Sequence, residues 1–149
     1  MKTAGRFFRY SQRGVAAVEF ALVAGVFFTL LIGIMEMGRV SFYWNTATEA
    51  TRLGARLAVV CDLDDADIKA KMVSLFPTLG ASDISLDYQP ANCTAANCQQ
   101  VTVSIVSGKS IPTYVPYVSL SLTMPAFATT LSRESMQSTF SGTANPVCN

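Results

Sequence analysis

Three groups of residues in this 149-residue chain carry groups that could do chemistry. The first is Glu19, a single carboxylate inside the stretch RGVAAVEFALVAGVFFTLLIGIM, Arg13 to Met35. A charge in an apolar run of membrane length is costly and marks a candidate functional site. The second is four thiols, Cys61, Cys93, Cys98 and Cys148, which could bind a metal or oxidise to disulfides. The third is the acid-rich segment with Asp62, Asp64, Asp65 and Asp67, which could offer oxygen ligands to calcium.

Metal chemistry fits poorly. A zinc site would need all four cysteines, because the chain has no histidine, and their spacing is not the paired CxxC of zinc ribbons. The calcium-loop pattern also fails: Ala66 takes a ligand position, the turn glycine is missing, and no glutamate ends the loop. Asp64 or Asp65 is better read as the cap of a short helix. An even number of cysteines beyond an apolar N-terminal run suggests disulfides. Of the three possible pairings, the short Cys93–Cys98 loop and the remote Cys61 and Cys148 suggest 93–98 and 61–148.

Catalysis finds no residues to carry it. Without histidine the usual proton shuttle is missing. No GxSxG turn or phosphate-cradling glycine loop occurs, and no spacing singles out a pair of carboxylates. The expectation is a protein that is not an enzyme, with no cofactor, no metal and no catalytic residue.

The element that must position Glu19 is a helix. Val15 to Met35 would span about 30 Å, the thickness of a bilayer core. Lys2, Arg6, Arg9 and Arg13 precede it with no acid, whereas seven Lys/Arg and ten Asp/Glu lie from Val15 onward. That asymmetry is the positive-inside pattern, with the N-terminus cytoplasmic and the rest exported. A basic nucleic-acid arm is the weaker reading, so membrane lipid is the expected partner and nucleic acid is not. A cleaved secretory signal has a shorter core and a small-residue cleavage site, where this chain has IGIMEMGR. Beyond the membrane the series Val40, Tyr43, Ala47, Ala50, Gly54, Leu57, Cys61 continues in alternating steps of three and four. It predicts one helix continuing to about residue 61, its second half packed on a small domain and its other side lined by Glu49, Arg52 and Arg56.

The remainder predicts a short helix with Ile68, Met72, Leu75 and Phe76 on its apolar face, ended by Pro77 and Gly80. Strand patterns follow at DISLDY, QQVTVSIV and YVSLSLTM, the last with Val118, Leu120, Leu122 and Met124 on one side. A final extended segment is expected through TLSRESMQSTF, then an irregular tail pinned by Cys148. The fold class is α+β: a long N-terminal helix, membrane-embedded in its first half, packed on a small antiparallel sheet.

Within the apolar half, Ala17, Ala21, Gly25, Thr29 and Gly33 recur every fourth residue. Such a ladder of small side chains lets another helix approach closely in lipid. Glu19 gains a partner if the chain is cut after Gly14. Val15 then carries a cationic amine one helical turn from Glu19. Amine and carboxylate could neutralise each other within a chain or between neighbours and so set the register of packed subunits, since either alone in lipid would cost several kcal/mol.

These residues carry a resemblance. The basic leader followed by GVAAVEF and an apolar helix resembles prepilin signals. More narrowly, Arg13 to Arg39 and the later ATRLGARLAVV resemble the TadE-like pseudopilins of the Tad (Flp) type IV pilus. The resemblance implies a pilin-like fold in three parts: a cleaved leader at 1–14, a transmembrane and assembly helix at 15–36, and an exported domain at 37–149. It implies cutting between Gly14 and Val15 by a prepilin peptidase, an aspartic membrane protease. It makes Glu19 and Phe20 the assembly motif, and implies a minor pilin acting in pilus assembly, adhesion or colonisation. The implied partners are the major Flp pilin, a second pseudopilin and the inner-membrane assembly platform. The implied location is the bacterial inner membrane, with the C-terminal domain periplasmic and a place in the extracellular pilus as a further option. The alternatives are a type II secretion pseudopilin and a membrane-anchored exported binding domain unrelated to pili.

Overall fold

The computed structural model describes residues 13–106, 108–114 and 121–148. Among these residues two α-helices, α1 (Arg13–Val60) and α2 (Ala66–Leu75), precede seven strands: β1 (Ile84–Gln89), β2 (Gln100–Ile105), β3 (Ser110–Pro112), β4 (Ser121–Thr123), β5 (Phe127–Ser132), β6 (Thr139–Phe140) and β7 (Thr143–Ala144). The fold is α+β, a long helix packed on small antiparallel sheets.

No proline interrupts α1, and its 48 residues run about 70 Å. Its two halves have different surroundings. From Val15 to Met37 its large apolar side chains are exposed. Burial begins at Val40 and continues through Ala47, Ala50, Gly54, Leu57 and, past the helix end, Cys61, with Tyr43 half-buried. Most of these side chains are small, which lets the sheet come close. Glu49, Arg52 and Arg56 are exposed on the other side.

The core sheet has the order β1–β2–β5, all antiparallel. Its central strand alternates as a half-buried strand should: Val101, Val103 and Ile105 are fully buried, and Gln100, Thr102 and Ser104 are not. The buried Thr51 of α1 is satisfied in place, donating to the Thr48 carbonyl and accepting from the Thr129 hydroxyl at 3.1 Å.

Asp65 caps α2, its carboxylate accepting the Asp67 N–H at 3.0 Å. Ile68, Met72 and Phe76 are buried, but Leu75, expected beside them, is 44% exposed. The helix stops at Leu75, and the non-helical Phe76 turns in against Tyr43, ring centroids 5.8 Å apart. Val118 and Leu120 of the expected strand lie outside the described residues. Its described part, β4, pairs with β3, and Met124 after it is buried. The last long strand, β5, starts at Phe127 rather than Thr130, because pairing with β2 from Ile105↔Phe127 to Gln100↔Ser132 sets its limits.

The C-terminal segment closes the end of α1. Carbonyls of the last helical turn lack intrahelical donors. The Val59 carbonyl accepts the Met136 N–H at 3.1 Å, and the Val60 carbonyl accepts the Gln137 N–H at 2.8 Å. Cys61, just past the helix, is bonded to Cys148, with Cα atoms 5.5 Å apart. Cys93 is bonded to Cys98 in the loop between β1 and β2.

Candidate assembly helix

The exposed half of α1 is long and apolar enough to cross a membrane, and none of its apolar window is buried in the fold. Phe20 is 75% exposed, and Val15, Val18, Val23, Phe27 and Phe28 are exposed around it. No segment of the described chain folds back to cover them. An exposed apolar surface of this size marks a site that meets lipid or another protein.

Glu19 is exposed within this surface and, among the described residues, has no hydrogen-bond or ion-pair partner. Val15 lies four residues before it and is its neighbour on the helix, about 5–6 Å away between Cβ atoms. Gly14, Val15, Val18, Glu19 and Leu22 together line one shallow groove. A charged amine at Val15 would lie about one helical turn from the Glu19 side chain.

Ala17, Ala21, Gly25, Thr29 and Gly33 are all exposed. Ala21, Gly25 and Thr29 line a second shallow groove with Leu22, Val26 and Leu30. A Cβ added at Gly25 or Gly33 would meet nothing within 4 Å. The Thr29 hydroxyl donates to the Gly25 carbonyl at 2.8 Å, so the polar group on the ladder is satisfied within its own helix. A step of four residues advances about 40° around a helix of 3.6 residues per turn. The ladder thus winds across the surface, the geometry of right-handed close crossings in lipid.

One cluster at the distal edge of the apolar run was not assigned from sequence. Glu36 and Arg39 pair with each other one turn apart, Arg39 Nε donating to Glu36 Oε2 at 3.1 Å. The Tyr114 N–H donates to Glu36 Oε1 at 3.0 Å, and the Arg39 guanidinium lies 4.6 Å from the Tyr114 ring centroid. The opposite charges three residues apart were a readable signal. The arrival of Tyr114 was not.

The other candidate sites resolve into structure. Asp62 accepts the Ser138 N–H at 3.1 Å, Asp65 accepts the Ser138 hydroxyl at 3.2 Å, and the Asp64 N–H donates to the Tyr88 hydroxyl at 3.1 Å. Burial pushes the Tyr88 phenol up, opposed by that hydrogen bond. Among the described residues no group of His, Cys, Asp or Glu is placed to hold a metal ion.

Residues 14–56 match the family model described as TadE-like protein. The matched span takes in the apolar half of α1 with Glu19 and the small-residue ladder, and the buried stripe as far as Arg56. No curated protein and no solved structure matches the chain.

Proposed function

We propose that this chain is a minor pilin of the TadE-like type, acting in assembly of a Tad (Flp) pilus after a prepilin peptidase removes residues 1–14. The observation that carries this reading is the bare apolar half of α1 with Glu19, unpartnered among the described residues, on it, inside the span that matches the TadE-like model. A simple anchor would need no carboxylate there. In the proposed mechanism, cutting after Gly14 removes the four basic residues and creates the Val15 amine. Amine and Glu19 then neutralise each other in lipid, within one chain or across a helix pair, and fix the axial register of neighbouring subunits. Phe20 and the Ala17–Gly33 ladder give that contact its shape. The role is structural rather than catalytic.

The partners that follow are the prepilin peptidase, the major Flp pilin, a second pseudopilin and the inner-membrane assembly platform. The N-terminus is cytoplasmic before processing, and the domain from residue 37 is periplasmic. The reading is tested by replacing Gly14 with a bulky residue. The proposal expects the leader to remain, seen as a larger product on a denaturing gel. Processing at the normal rate would count against it.

A further inference from the structure

The exposed apolar surface of α1 continues past the apolar run. Phe42 is 64% exposed and Trp44 40%, and Tyr114, 76% exposed, is carried to the same level by its hydrogen bond to Glu36. These side chains do not share a face. Phe42 and Trp44 are two positions apart, about 200° around the helix. Tyr114 enters from the side of Glu36 and Arg39. One docked protein helix could not cover all three, whereas a planar layer crossed by α1 would meet all of them.

Their heights agree as well. Side chains on a helix lean over the turn N-terminal to their own Cα, so the Trp44 indole covers the turn near residues 40–41. Glu36 to Phe42 spans about 9 Å of axis. Tyr and Trp place an apolar body beside a polar tip, which suits the boundary between acyl chains and water. The two charges at this level are turned on each other, so the ring of aromatics carries no net charge at its centre.

We infer that Phe42, Trp44 and Tyr114 form an aromatic collar seated in the phospholipid headgroup layer on the exported side of the bilayer. The Glu36–Arg39–Tyr114 cluster holds the exported domain at that surface. The inference rests on the membrane-helix part of the proposed function.

Trp44 is the chain's only tryptophan, so its fluorescence reports this level alone. The full chain is reconstituted in phosphatidylethanolamine–phosphatidylglycerol vesicles containing lipids spin-labelled near the headgroup or deep in the acyl chain. The collar predicts stronger loss of Trp44 fluorescence with the shallow label than with the deep one, and shielding from an aqueous quencher. Loss of fluorescence only to the aqueous quencher, or mainly to the deep label, overturns it. The double variant Trp44→Phe with Phe27→Trp moves the probe to mid-span. Strong quenching of that probe by the deep label, with Trp44 of the parent chain in water, overturns the collar and leaves the membrane helix standing. A mid-span probe that no lipid label quenches overturns both.

Discussion

Gly54 and Val103 meet where the long helix crosses the central strand: a methyl group on Gly54 would stand 3.1 Å from Val103 Cγ1, and closer still to the Met72 thioether. Three elements, α1, α2 and β2, converge on a position that has room for hydrogen alone. Gly54→Val should therefore lower the unfolding free energy of the exported domain by about 1–3 kcal/mol through overpacking. Thermal melts of the detergent-solubilised chain, followed by circular dichroism, check this. Gly33→Val, on the bare half of α1, serves as the contrast and should leave the melt of the domain unchanged.

The two disulfides should differ in worth. Cys61–Cys148 closes a separation of 87 residues and Cys93–Cys98 one of five. On the loop-entropy account, losing the first costs about 4–5 kcal/mol and losing the second about 2 kcal/mol. Serine replacements of each pair, compared by denaturant titration, should keep that order. The first pair should also loosen the C-terminal tail from the end of α1, measurable as faster proteolysis after residue 138.

Asp83 supplies an acid-side limit. Its carboxylate takes the Lys109 ammonium at 2.6 Å and the Gly80 N–H at 2.8 Å, and these two contacts hold its pKa below the ordinary aspartate value. The unfolded chain therefore binds a proton at higher pH than the folded one. The stabilisation is complete above about pH 4 and is lost as pH falls through the lowered folded value. Asp83→Asn should melt earlier than the parent at pH 6, and the two melting temperatures should converge towards pH 2. The pair is partly exposed, so added salt should narrow the gap at pH 6 as well.

Glu19→Ala removes a charge from lipid and should not hinder insertion. The variant should fractionate with membranes as the parent does, yet yield far fewer sheared pili. Normal pilus numbers would remove the register role given to the carboxylate.

Much of this arrangement could be read from side-chain order, and what could not has identifiable causes. The stripe from Val40 to Cys61 was legible because small and apolar residues at steps of three and four can share one helix face only. The alternation of Val101, Val103 and Ile105 was legible for the corresponding reason in a strand. The start of β5 at Phe127 was not, since its register depends on which residues of β2 it meets. Leu75 looked like core by spacing, but the helix ended there and Phe76 took the place against Tyr43. The Tyr114 contact with Glu36 uses a backbone N–H, a group every residue but proline has, so no side-chain pattern could announce it. Glu19 was conspicuous for the opposite reason: a carboxylate among Val, Ala and Phe is costly enough to need a purpose.

The central claim, that Glu19 is half of a pair completed by cutting after Gly14, is tested most directly by the N-terminus of the protein isolated from membranes. Mass analysis of its N-terminal peptide should place the first residue at Val15. A mature chain that still begins at Met1 and is nevertheless present in assembled pili would contradict it.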